Sequence, residues 1–261
     1  MRPFIDEGRP LKFADKEVKS LTDLIGHLKA DLPKGEPTWF RGLRNASWDL
    51  EPSIRRHGGA EAERALFKRF KQNAFSHVTM RPSTEWEWLF VMQHHGLPTR
   101  LLDWTESALI GLYFAIQGVD LDNPDAPAAL WAMNPIGLNE ASKWSSPHKA
   151  DIPGFDDDEE LNFYLPSQIG RGRMGLEPIA AIAARNNARI QVQQGVFTIH
   201  HAKLEPLNLG ARLDHIWRYI IPGGAIPGLR SDLQMLNLTE LSLFPELPNI
   251  AAHARDQVLG V

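Results

Sequence analysis

Cysteine is absent from the sequence. Disulfides, thiolate nucleophiles and cysteine metal sites are therefore excluded, and the absence fits a reducing compartment. Long apolar runs are missing too. The longest, ALIGLYFAI at 108–116, falls far short of the roughly 20 residues that cross a bilayer. The opening MRPFIDEGRPLKF has no apolar centre of the kind a secretory signal needs. The expectation is a cytoplasmic protein without a membrane partner. Positive charge is not in excess either: 28 Lys and Arg stand against 32 Asp and Glu, a net charge of −4. The chain as a whole therefore draws in neither nucleic acid nor acidic lipid. No Walker loop, G-x-S-x-G elbow or HExxH pair occurs.

What is present is enough apolar residue, 43% of 261, for a large core. Residues 19–33 read as a helix that Ser20 caps and Pro33 stops, with Leu21, Leu24, Ile25 and Leu28 on one face. TWFRG (38–42) reads as a short strand. Residues 61–75 form an amphipathic helix with Leu66, Phe67, Phe70 and Ala74 inward. Residues 83–96 form another, opened by a Thr84/Glu87 capping box and closed near Gly96. Residues 99–104 fit a buried strand, and Thr105 caps a helix over about 106–117 that Gly118 closes. PAALWAM (127–133), RIQVQQGVFTIH (189–200, bent at Gly195) and HIWRYIIP (215–222) read as strands. SDLQMLNL (231–238) reads as a short helix. Residues 134–175, charged and rich in Pro, Ser and Gly, read as irregular surface loops. Strands and helices alternate without a βαβ rhythm, so the expected class is α+β: a single domain over 1–261, with a mixed or split sheet flanked by helices.

Several local patterns lead nowhere. GRGRMG (170–175) has dinucleotide-loop spacing, but no apolar strand enters it and no acidic residue follows at the right distance. It reads as a basic loop whose Arg171 and Arg173 can touch a phosphate. His94-His95 and His200-His201 diverge in direction as neighbours must, so neither pair gathers a metal unaided, and no metal is expected. His94 or His95 reads as the cap of a helix C-terminus; His94 is a substrate-binding candidate, and His94 or His95 would serve a hydrolase of phosphodiesters or nucleotides. Between 41 and 71, eight Lys and Arg face four Asp and Glu, a local hint of an anionic partner.

Three segments carry more chemistry. Arg41 ends a strand and Gly42 follows it. A guanidinium is a planar fork that matches phosphate or carboxylate, or pairs with a buried Asp, and glycine lets a ligand approach the backbone. In GLPTRLLDWTES (96–107), Asp103 sits at a strand end and Thr105 at a helix start, where side-chain oxygens meet free N–H groups. Asp103 could equally pair with Arg100 or Arg41. The helix that follows brings Tyr113 and Phe114, mostly core, with one ring available as a stacking wall. In VQQGVFTI, Gln193 and Gln194 point to opposite faces of a strand, so one of them faces any cleft.

WFRG, LEPSIRR, MQHHGLPTRLLDWTESALIGLYFAI, RIQVQQGVFTIH and LFPEL together resemble the FRG domain family, named for its (F/Y)RG motif, over about residues 18–254. The segments are also similar, more distantly, to ADP-ribosyltransferases, which hold NAD on a split sheet with three strand-borne motifs. Arg41-Gly42 resembles the first, DWTES with Thr105 or Ser107 the second, and QVQQG the third. Gln194 then stands where many such enzymes have a catalytic glutamate. The resemblance implies an NAD-dependent ADP-ribosyltransferase or NAD glycohydrolase with NAD as substrate and a protein or nucleic-acid acceptor, in phage defence or as a toxin. Arg41 would grip the pyrophosphate, and Asp103 would stabilise a cationic sugar. Thr105, Ser107 and Gln194 would orient ribose and nicotinamide, and Tyr113 or Phe114 would wall the ring. The alternative is a non-catalytic sensor or adaptor that binds nucleotide or nucleic acid.

Overall fold

The computed structural model describes residues 11–78, 81–118, 126–144, 151–169, 175–185, 188–210 and 212–259. In chain order the elements are β1 (Lys16–Glu17), α1 (Leu21–Asp31), β2 (Trp39–Leu43), α2 (Gly59–Ala74), α3 (Glu85–His94), β3 (Leu101–Thr105), α4 (Ala108–Ile116), β4 (Ala128–Met133) and α5 (Pro135–Ala141). They continue with β5 (Ile179–Ala181), α6 (Ala188–Val192), β6 (Gly195–Ile199), β7 (Ile216–Ile221), α7 (Ile226–Met235), α8 (Glu240–Leu243) and α9 (Leu247–Leu259). The fold is α+β. Among the described residues no helix is long and apolar enough to cross a membrane.

Seven strands form one mixed sheet in the order β1-β7-β4-β2-β3-β6-β5. Only β1 and β7 run parallel. The pairing is uneven. β2 meets β4 at five positions, from Trp39 opposite Met133 to Leu43 opposite Ala129. β3 meets β6 at five, from Leu101 opposite Ile199 to Thr105 opposite Gly195. Between β2 and β3 there is one pair, Phe40 with Thr105. The sheet is thus nearly divided in its middle.

Alternation along the strands sorts the core. Phe40, Leu130, Tyr219 and Ile221 pack beneath α4, together with residues of α1 and α7. On the same side of the other half, Leu101, Phe197 and Ile199 pack against Trp88 and Met92 of α3. Trp39, Leu43, Leu102, Trp104 and Trp131 face the opposite side, with Leu50 and Leu138.

Two contacts fix the halves. On β2, a Cβ added to Gly42 would lie 2.2 Å from Ala115 N and Gly111 O, and one added to Gly111 would lie 2.8 Å from Phe40 Cβ. Two facing glycines therefore let α4 sit directly on the strand. Gly42 serves this helix contact as well as lining the cavity described below. On the other half, Arg100 and Glu63 form an ion pair with both side chains essentially inaccessible. Arg100 donates from Nε to Glu63 Oε2 at 2.5 Å and from its backbone N to Oε1 at 2.6 Å. Its Nη2 donates to Tyr164 O at 2.7 Å, and its Nη1 to His200 O at 3.4 Å. Arg100 is thereby committed to Glu63 and is no partner of Asp103.

The helices capped by Ser20 and by Thr84 with Glu87 form as the sequence predicts. Three readings are corrected. Residues 134–175 are not all irregular. Asn134 accepts from Ile136 N and Gly137 N to start α5, a 3₁₀ turn spans Glu159–Tyr164, and Phe155, Leu161 and Tyr164 are buried. Single apolar anchors among charges give no periodic signal. Residues 189–200 are two elements, a short helix and β6, joined at Gln194 with φ +48°. The residue that caps α4 is Ser107, accepting from Ile110 N, while Thr105 remains in β3.

Gly42→Ala should cost about 3 kcal/mol or more, because backbone on a packed helix cannot yield as a side chain can. Gly228→Ala, on α7 with open space around its Cβ position, should be neutral or stabilise by about 0.4–1 kcal/mol. Thermal melting of the two variants checks this pair.

Candidate functional site

A cavity of about 470 Å³ opens where β2 and β3 part, within the size range of small-molecule sites. Its walls come from both halves of the sheet and from α3, α4 and α6.

Arg41 and Asp103 both line it, but they start from opposite faces. Phe40 pairs with Thr105, so Asp103 shares the face of Phe40 and Gly42, and Arg41 the other. The Arg41 guanidinium reaches across the split, and Nη1 donates to the Asp103 carbonyl at 2.5 Å. It takes the place of a missing ladder bond. Its Nε is buried without a partner. Burial is the main force lowering the Arg41 pKa; the Asp103 charge opposes it and Arg56 adds to it. Arginine stays charged through such a shift.

Asp103 is the sole acidic side chain among the described lining residues, against Arg41, Arg44 and Arg189. Among the described residues none of these arginines has an ion pair. Arg44 Nη1 donates to Gly118 O at 3.3 Å, and the Arg189 guanidinium lies 4.7 Å from the Phe244 ring centroid. The cavity is locally cationic in a chain of net charge −4, which favours an anionic ligand. Trp48, 48% exposed, together with Phe90 and Phe114, supplies aromatic wall.

The other sequence candidates divide. His94 and Phe114 line the cavity. Burial lowers the His94 pKa, helped by Arg189 and His95. Thr105 lines it, yet its hydroxyl is already used: it donates to Gln193 O at 2.7 Å and accepts from Ser107 N at 3.1 Å. Ser107 is a helix cap away from the cavity wall. Tyr113 is core, its hydroxyl pKa pushed up to about 12 chiefly by burial, so the ring wall is Phe114. Gln194 is exposed and outside the cavity. Its left-handed backbone turns the chain, and Gln193 lines the wall instead, its Nε2 donating to Leu243 O at 2.9 Å. Arg171 and Arg173 lie outside the described residues.

Sequence reasoning missed Gln93, Arg44, Trp48 and Arg189. Gln93 donates from Nε2 to Asp103 Oδ1 at 2.5 Å. The available signal was a polar residue near the end of an otherwise apolar α3. Among the described residues no three His, Asp or Glu side chains gather as metal ligands. The histidine pairs serve packing. His94 and His95 meet edge to face with centroids 5.0 Å apart, and His200 is buried with Nε2 3.1 Å from Glu205 O.

Residues 36–123 match the family model of the FRG domain. The matched segment contains Arg41, Gly42, Gln93 and Asp103. No curated protein and no solved structure matches the chain.

Arg41→Ala should lower stability by about 1–3 kcal/mol, the cost of leaving the Asp103 carbonyl without its donor, as read by urea denaturation. Protonation adds a second expectation. Burial pushes His200 and His215 down to about 4, below their unfolded value near 6.5. The unfolded chain then binds more protons between those values, so stability is full above about pH 6.5 and declines as pH falls towards 4, by roughly 3 kcal/mol per histidine at most. Urea melts at pH 7.5 and pH 5 should show the loss.

Proposed function

We propose that the cleft binds NAD and that the protein cleaves its glycosidic bond, passing ADP-ribose to a macromolecular acceptor or to water. The observation that carries this reading is the convergence of the Arg41 fork and the single Asp103 carboxylate on one cationic, aromatic-walled cavity between splayed strands. Arg41, Arg44 and Arg189 offer their charge to the pyrophosphate. The bond from ribose C1′ to the nicotinamide nitrogen breaks with its electron pair on nicotinamide. Asp103 stabilises the cationic sugar that results. A hydroxyl of the acceptor or of water then bonds to C1′ and gives up its proton. The basic surface of residues 41–71 supports an anionic acceptor. The reading also implies a cytoplasmic protein, since NAD is an intracellular nucleotide.

A second reading is non-catalytic nucleotide binding. It is favoured by the position of Gln194, which stands where the transferases have their catalytic glutamate, outside the cavity.

Purified protein incubated with NAD should release nicotinamide. Asp103→Asn, nearly isosteric but uncharged, should lower the rate at least about 10²-fold with its melting temperature unchanged. NAD binding by calorimetry without release would establish the second reading. Neither binding nor release would overturn both.

A further inference from the structure

We infer that Gln93 and Thr99 are positioning residues for Asp103, joined in a directed hydrogen-bond relay that fixes one carboxylate oxygen and leaves the other for the ligand. The kinetic part of this inference rests on the NAD reading; the structural part does not.

The direction of the relay follows from counting protons. Thr99 is 1% exposed, and its hydroxyl has one proton to give. Leu101 N donates to Thr99 Oγ1 at 3.3 Å, so that oxygen already accepts. Its own proton goes to Gln93 Oε1, 2.7 Å away. A carboxylate only accepts, so the Gln93 end beside it is Nε2, donating to Asp103 Oδ1 at 2.5 Å, and Oε1 is the end that accepts from Thr99. A carboxylate accepts such a bond more strongly than a neutral group. Among the described residues no side chain other than Gln93 bonds the Asp103 carboxylate, which leaves Oδ2 for the ligand. The base of the relay is immobile. Thr99 N donates to Ser53 Oγ at 3.3 Å, Thr99 O accepts from Ile54 N at 3.3 Å, and the next residue is Arg100, locked to Glu63.

Asp103 is consequently held at three places: by the β3–β6 ladder, at its carbonyl by Arg41, and at Oδ1 by Gln93. Such fixing spares the reorganisation that a free carboxylate would undergo as charge develops. It also explains the spacing QHHGLPTRLLD. Gln, Thr, Arg and Asp in that run are the relay's middle, its base, its anchor and its end.

The test is a double-mutant cycle on nicotinamide release with a spectroscopic control. Thr99→Val should lower kcat about tenfold, and Gln93→Glu, which turns a carboxylate oxygen towards Oδ1, about 10²-fold, with KM within about twofold in both. Thr99→Ser keeps the hydroxyl and should restore wild-type kcat. In the Asp103→Asn background, Gln93→Ala should have little further effect, since it acts through the missing charge. Full multiplicative loss in the double variant, or effects confined to KM, would overturn the inference. The control is the Gln93 side-chain amide in an NMR spectrum. One proton should be downfield and slow to exchange in the wild type and Thr99→Ser, and lost in Thr99→Val. If the wild type releases no nicotinamide, the NAD reading fails, and the amide signal still decides: its presence keeps the relay as a holder of Asp103, its absence removes it.

Discussion

The buried pair of Arg100 and Glu63 is the interaction on which the arrangement of the cleft depends. Two desolvated charges are tolerable only when their remaining hydrogen-bonding capacity is met. Here Glu63 takes a side-chain and a backbone donor, and each terminal nitrogen of Arg100 donates to a carbonyl, of Tyr164 and of His200. Four parts of the chain meet at one guanidinium: α2, the entry to β3, the 3₁₀ turn and the exit of β6. None of these has a periodic pattern that would bring it to the others. The pair supplies the meeting point and sets where β3 begins, two residues before Asp103.

The other half of the sheet is fixed by different means. Facing glycines let α4 rest on β2 with no side chain between, and the apolar cluster beneath α4 holds the rest. Each half is therefore anchored on its own side, one by polar saturation and the other by close packing. Neither relies on the single pair that joins them. The gap between β2 and β3 is a consequence of two separately determined positions, and the Arg41 side chain spans it.

Much of this was legible locally. Capping residues announced α1 and α3, apolar spacing announced α2, and β-branched or aromatic runs announced β2, β4 and β7. Arg41 and Asp103 stood out as charges beside apolar runs; they read as strand ends, whereas both lie inside their strands, β2 and β3. The rest depends on partners far apart in sequence. Whether Arg100 would meet Asp103 or Glu63 could not be read from spacing, since the choice lies with α2. Gly42 lines the cavity, but nothing in the spacing told that α4 also lies on it. Gln193 and Gln194 looked like a strand pair, because five or six residues of mixed polarity fit helix and strand alike. A left-handed Gln194 then reversed which of the two faces the cleft. Gln93 gave almost no signal, as its partner is ten positions on and on another element.

A sheet interrupted in its middle has four edges instead of two. Past Phe40 and Thr105, the facing sides of β2 and β3 make no ladder with each other, and glycines 42 and 195 line the cavity without side chains. Part of the wall is therefore main chain, with peptide donors and acceptors at the spacing a strand imposes. Peptide groups are the same whatever residue carries them. Recognition through that part of the wall is insensitive to substitution, so discrimination between related ligands falls to the few side chains that project past the edges.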